Sequence, residues 1–464
     1  MNDVMIIIVG MTGNLAKRKL IPALYHLVAT RTLEHFVIIG AALEHIDIKQ
    51  ILERARSYIP CVDAQAWNQF ARRCYYQQID ATNESDFVSL LQRIDELEHE
   101  FELNGNRLLY CATASDYFCP ITVNSIKAGI ISKKEKADCP WMRVIYEKPF
   151  GTDLQSAHTI NDCIASLLHD DQIYRIDHYL TEEIVSNIAL VRFTNCVFEP
   201  LWNNRFIDQV QIILDEELCL DGRGNYYDTY GALKDVVQNH MLELLALIAM
   251  EAPDRLPGEH IRVERARVLK QVEVVDVLLG QYEGYRQENG VPAQSQTETF
   301  AIIYLEINNP RWAGVPFYLR TGKCLQKKRT AVHIKFKQVD CLLAKKCPSD
   351  PNFLSIEIAP NPSFSLTLNV KKPGFSHEVV PVNMEFCHSC LFKDNKVESY
   401  EVLFEEVIRG EHSVSVRFDE IEYTWKVIDA IKEMELPIYR YEQKSEGPKE
   451  VEQFAQKHGM RWRV

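Results

Sequence analysis

The chain reads as two domains of different style. An N-terminal doubly wound α/β domain is expected over residues 1–175, and a C-terminal α+β domain with a large antiparallel sheet over 176–464. Three observations predict this. The 464 residues exceed what one small core organises. Up to residue 175, short apolar runs alternate with helical patterns, which implies a parallel sheet covered on both faces. After Ile176, β-rich runs dominate and the alternation stops.

Taken in order, the first strands are Val4–Val9 (VMIIIV), Phe36–Ala42 (FVIIGAA), Arg107–Thr113 (RLLYCAT) and Met142–Pro149 (MRVIYEKP). Between them, ILERARSYI and FVSLLQRIDELEHEF repeat apolar residues at three and four, the helical spacing. The second domain opens with a helical stretch, EEIVSNIALVRF, and a strand, QVQIILDEE. A long helical pattern then runs from Tyr230 to Glu251. The strands TFAIIYLEI, VPFYLRTG, AVHIKFK, FLSIEIAP and SFSLTLNV complete the sheet. There is no internal repeat, low-complexity segment or clear linker.

Composition narrows the function classes. With 46% hydrophobic and 25% charged residues, this is an ordinary soluble globular chain. No apolar run approaches the roughly 18 residues that span a bilayer, so no membrane partner is expected. A net charge of −13 argues against nucleic acid and leaves a small molecule as the main ligand. The start, MNDVMIIIVG, has no basic region before its apolar run and reads as a buried strand, so a cytoplasmic protein is expected. The 13 cysteines show no framework spacing, and free reduced thiols are expected. Cys387 and Cys390 in CHSC have only the poorly spaced Cys341 and Cys347 as companions, so no metal site is expected.

Five stretches carry chemistry. In IIIVGMTGNLAKRKL a strand ends at Gly10, turns through Gly13 and enters a helix near Leu15, with Ala16 at a close-packing position. Glycines let a backbone approach a pyrophosphate, which the helix N-terminus then holds, so this domain reads as a Rossmann-like dinucleotide-binding domain. EKPFG places Lys148 at the carboxyl end of a strand, facing the ligand crevice of such sheets. IYRIDHYL and KDVVQNH offer His178 and His240 as bases and Asp177 and Asp235 as their orienting carboxylates. Imidazole suits removal of a hydroxyl proton near neutral pH, and these patterns alone do not choose between the two pairs. GRGNYYDTYG is a Gly-rich turn that opens the long helix. Arg320, Lys323, Lys327, Lys328 and Arg329 cluster around one turn and suggest an anion site in an acidic protein.

Together and in this order, GMTGNLAKRKLIP, EKPFG, YRIDHYL, GRGNYYDTYGALKDVVQNH and VPFYLRTGK resemble the glucose-6-phosphate dehydrogenase family, from about Val4 to at least Trp425. The resemblance implies oxidation of a sugar phosphate at its C1 hydroxyl to a lactone, with hydride passed to NAD or NADP. It implies His240 as general base, Asp177 as its orienting carboxylate, and Lys148 at both substrate and cofactor. It implies Glu216 and Asp235 on sugar hydroxyls, His178 and Tyr179 on the phosphate, and Lys323 and Lys328 at basic substrate positions. The cofactor turn comprises Gly10, Thr12, Gly13, Asn14 and Leu15, and a homodimer is implied through the second domain's sheet.

Three departures matter. The family's H-Y-L-G-K ends in a phosphate-gripping Lys, where this chain has HYLTE and so Glu182. Close to a phosphate, that reversal of sign is worth several kcal/mol at a moderate dielectric. Ala359 in IAPN replaces the Gln of V-Q-P-N. The family's Arg after the second strand, which binds the 2′-phosphate of NADP, is matched by Leu43 and then Glu44. A carboxylate there accepts from a ribose hydroxyl and disfavours a phosphate, so NAD is expected over NADP. An amino sugar or an unphosphorylated hexose is the alternative substrate, and a non-catalytic sensor on the same fold is the rival expectation.

Overall fold

The computed structural model describes residues 3–134, 140–177, 179–220, 222–255, 258–339, 350–374, 378–387 and 398–463. They form two compact units. The first gathers Met1–Glu182, Pro253–Arg262 and Val397–Glu422; the second gathers Glu183–Ala252, Val263–Lys396 and Tyr423–Val464. The chain therefore returns to its first unit twice, through segments far from the N-terminus in sequence.

The first unit is built on β1 (Val4–Val9), β2 (Phe36–Ala42), β3 (Cys74–Gln78), β4 (Arg107–Cys111), β5 (Met142–Tyr146) and β6 (Ile173–Arg175). The order is β3-β2-β1-β4-β5-β6 and every pairing is parallel. All six residues of β1 are buried, as an unbroken apolar run in a sheet covered on both faces must be. The expected helices form over Ile48–Arg56 and Glu84–Glu100, opened by Asp47 and Asn83, whose side chains accept the amides of Lys49 and Ser85. Neither β3 nor β6 is among the expected strands. CYYQQ lacks a clear apolar alternation, and β6 is only three residues of the IYRIDHYL stretch.

The second unit carries β7 (Ile207–Asp215), β8 (Val272–Tyr282), β9 (Phe300–Ile307), β10 (Phe317–Gly322), β11 (Arg329–Phe336), β12 (Phe353–Ala359), β13 (Ser363–Lys371), β14 (Val379–Cys387) and β15 (Ile438–Tyr441). Their order is β14-β13-β12-β11-β7-β10-β9-β8-β15. The sheet is antiparallel except at β7–β10 and β8–β15, which pair in parallel. Its aromatic core includes Tyr227, Tyr282, Tyr285, Phe300 and Tyr441.

The cysteines correct an expectation. Cys119 bonds Cys163, Cys219 bonds Cys324, and Cys387 is also disulfide-bonded, whereas Cys61, Cys74, Cys111 and Cys196 are free. The pairings are tertiary: the first joins helices Phe118–Ala128 and Leu154–Leu167, and the second joins the segments after β7 and β10. Separations of 44 and 105 residues leave no spacing signature in the chain. Cys341, Cys347 and Cys390 lie outside the described residues.

Candidate active site

Because every strand of the first sheet is parallel, their carboxyl ends share one edge, and the chain order reverses between β1 and β4. Ligands of open α/β sheets bind at such a switch point. Gly10 leaves β1 there with φ +94° and gives its amide to Ala41 O at 2.7 Å. A Cβ on Gly10 would run into the Ala112 carbonyl leaving β4, so only glycine fits. Gly13 N closes the turn on Gly10 O at 3.0 Å, and helical backbone starts at Asn14. Thr12, Gly13, Asn14 and Leu15 thus head a helix N-terminus, with Ala16 buried beneath. The Thr113 hydroxyl, next along from Ala112, is buried without a hydrogen-bond partner. A cradle that excludes a methyl and a hydroxyl left waiting are what a dinucleotide's pyrophosphate arm would use.

After β2, Leu43 and Glu44 are exposed. Their backbone is fastened to β3: Gln78 Nε2 donates to Leu43 O at 2.9 Å, and Tyr76 Oη donates to Ala42 O and Glu44 O. The side chains that would meet a ribose therefore sit on a held loop.

At the other side of the switch, β5 and β6 pair Tyr146 with Arg175, and Ile176 N donates to Tyr146 O at 3.0 Å. That register brings Glu147 and Lys148 out of the sheet abreast of Ile176 and Asp177. Glu147 is buried and accepts the hydroxyls of Tyr110 and Tyr400. Burial lifts its pKa, against the pull of Tyr110 and the Lys148 ammonium. Asp177, also buried, accepts the Tyr179 amide at 2.9 Å and lies near Tyr400. Glu182 is exposed, and its Oε1 accepts the Ser399 hydroxyl at 2.9 Å. Its negative charge is thus engaged within its own unit. His178 lies outside the described residues.

In the second unit, Glu216 and Lys323 come directly after the parallel neighbours β7 and β10 and are brought together. Glu216 N donates to Gly322 O at 2.8 Å, and Lys323 Nζ donates to Glu216 Oε2 at 2.6 Å. Lys328, on the next turn, is exposed, and Ala359 ends β12 opposite Thr330. The long helical pattern is broken at Gly231, whose φ of +63° separates Gly224–Tyr230 from the helical residues after it. Glu298 occupies the space a side chain at 231 would take, and accepts the Leu233 amide at 3.0 Å. Leu233–Met241 is then a π-helix carrying Asp235 and buried His240. Its i→i+5 bonding returns residues five apart to the same side, where an α-helix would turn them well away from each other. The Tyr226 hydroxyl bonds Asp235.

Residues 7–187 match the family described as glucose-6-phosphate dehydrogenase, NAD binding domain, and 189–463 match its C-terminal domain. The chain belongs to the glucose-6-phosphate dehydrogenase family. It is 36% identical to the glucose-6-phosphate 1-dehydrogenase of Chlamydia pneumoniae, covering 99% of this chain and 95% of that one. Against the Bacillus subtilis enzyme identity is 35%, over 98% and 97%. A solved glucose-6-phosphate dehydrogenase in complex with its substrate glucose-6-phosphate superposes with a TM-score of 0.91 at 31% identity, over 100% of this chain and 99% of that one.

Within that family frame, sequence reading missed Thr113, Glu147, Tyr226, Glu298 and Tyr400. Thr113 and Glu147 had a signal, since both lie just past strands that end at the switch edge. Tyr400 and Glu298 had none, because each arrives from a distant part of its unit.

Proposed function

We propose that this protein oxidises the C1 hydroxyl of glucose 6-phosphate to the lactone. A bound nicotinamide dinucleotide would accept the hydride that leaves C1. His240 takes the hydroxyl proton as the C1–O bond becomes a carbonyl. Asp177 is assigned the carboxylate that steadies the resulting imidazolium. Glu216 and Asp235 accept from sugar hydroxyls, His178 and Tyr179 hold the phosphate, Lys323 and Lys328 supply basic substrate positions, and Lys148 reaches both substrate and cofactor. The observation that carries the reading is the π-helix Leu233–Met241, which sets Asp235 and buried His240 on one side of a single element.

The cofactor cradle is assigned to Gly10, Thr12, Gly13, Asn14, Leu15 and Thr113, and NAD is preferred over NADP because Glu44 comes next to exposed Leu43 at the ribose end. Glu182 favours a second reading, an unphosphorylated or amino sugar taken by the same machinery. Turnover of glucose 6-phosphate, glucose and glucosamine 6-phosphate, each with NAD and NADP, tests both. The first reading expects glucose 6-phosphate with NAD to be fastest; a faster glucose or amino sugar selects the second; no turnover with any of them overturns both.

A homodimer and a cytoplasmic location complete the proposal. Val382, Met384 and Phe386 are exposed along edge strand β14, on one face with their β13 partners Leu368, Leu366 and Phe364. An apolar edge of this kind calls for a cover. Met384→Asp should halve the mass seen by light scattering, and an unchanged mass would remove this face as the interface. A named cytoplasmic relative from Arabidopsis thaliana supports the location. Among the described residues no helix is long and apolar enough to cross a membrane.

A further inference from the structure

Tyr227 belongs to the helix that opens the second unit's site, Gly224–Ala232. Its ring lies beneath the Lys323 ammonium, with Nζ 5.0 Å from the centroid, and that ammonium is the one held by Glu216. The side chain is only 3% exposed. Its hydroxyl is buried and has no hydrogen-bond partner.

Three other buried tyrosines of this aromatic cluster have partners for their hydroxyls. Tyr282 donates to Glu288 at 3.0 Å, Tyr285 to Asp228 at 2.9 Å and Tyr441 to Lys323 O at 2.8 Å, while neighbouring Tyr226 bonds Asp235. A buried hydroxyl gives up its bonds to water, and phenylalanine would fill the same packing role without that loss. Burial first, and then the charges of Asp235, Glu298, Tyr441 and Glu216, keep the phenol protonated, so it is available as a donor.

We propose that Tyr227 is a specificity-determining residue, its hydroxyl completing its bonding on one hydroxyl of the sugar that Glu216, Asp235 and Lys323 hold. The inference rests on the substrate reading given under Proposed function. A site built to bond a substrate hydroxyl rejects the analogue that lacks it, because its own polar group is then left unpaired.

The test is Tyr227→Phe in the full chain, assayed beside wild type with glucose 6-phosphate and its 2-, 3- and 4-deoxy analogues. Wild type should disfavour one of these analogues, and the variant should lose about 10-fold in kcat/KM for glucose 6-phosphate while leaving that one analogue unchanged. The dinucleotide KM should stay put, and the thermal midpoint of the free protein should hold or rise, because the variant removes an unpaired buried hydroxyl; a hydroxyl that served the fold instead would lower it. Equal losses across the whole panel, an unaltered kcat/KM, or a lowered midpoint with normal kinetics would each overturn the assignment. Failure of wild type itself to turn over any of these sugar phosphates would instead overturn the reading of the pocket, and the inference with it.

Discussion

Lys323 Nζ donates to Glu216 Oε2 at 2.6 Å, with the lysine 3% exposed and the Glu216 side chain 32% exposed. The pair is set by backbone: Glu216 N bonds Gly322 O, and Leu325 N bonds Glu216 O at 3.0 Å. Two strand ends thus hold a cation and a carboxylate ready for a polar, charged ligand. Lys323→Met should raise the KM for glucose 6-phosphate at least about 10-fold, which steady-state kinetics would show. Loss of a wholly buried partner costs about 3–5 kcal/mol, but water reaches Glu216, so denaturant titration should find a loss nearer 1–2 kcal/mol.

Gly10 is the backbone counterpart. At φ +94°, and with the Ala112 carbonyl where a Cβ would go, Gly10→Ala should destabilise by at least about 2 kcal/mol. It should also weaken dinucleotide binding by calorimetry much more than it alters binding of the sugar phosphate. An alanine variant with normal dinucleotide affinity would mean the turn does not hold the pyrophosphate.

The Leu43–Glu44 loop makes a separate prediction. Because its backbone is fastened by Gln78 and Tyr76, side chains there can be exchanged without moving the loop. Leu43→Arg combined with Glu44→Ser should improve kcat/KM with NADP about 10-fold or more and leave NAD within a few-fold. A wild type already faster with NADP would contradict the assignment of NAD.

His333 gives the pH dependence. Burial first, then the Arg463 and Arg329 charges, push its pKa from 6.5 down to about 3. The unfolded chain therefore binds the proton before the folded one does. Its contribution to stability is fully present above pH 6.5 and is lost as pH falls from 6.5 toward about 3, at up to about 1.4 kcal/mol per pH unit. His333→Gln, which keeps a polar partner for Ser355 Oγ, should flatten melting temperature against pH in that window.

How legible each feature is in the sequence depends on where its signal lies. Val4–Val9, Phe36–Ala42 and Phe353–Ala359 are apolar runs whose meaning is local; the first two form with the expected bounds, and the third stops one residue before the expected end at Pro360. The Gly10 turn is legible because a strand, a glycine and a helix start stand within a few residues. The long pattern from Tyr230 reads as one helix because side-chain periodicity is blind to Gly231, where the break is held by Glu298 from elsewhere in the unit. The π-bonding that aligns Asp235 with His240 is also invisible in a string of residues. Disulfides between Cys219 and Cys324, or Cys119 and Cys163, depend on which segments pack together. Glu182 reads as a bare charge in the sequence, but Ser399, brought in from a helix more than two hundred residues later, bonds it.

The most direct test of the central claim tracks one atom. Wild-type protein would be given glucose 6-phosphate carrying deuterium at C1, together with NAD, and the reduced nicotinamide examined by mass spectrometry. Transfer of one deuterium to the ring, lost together with turnover in His240→Asn, is the result predicted. Reduced nicotinamide without deuterium, or full activity in the His240→Asn protein, would contradict a hydride taken from C1 with His240 as its base.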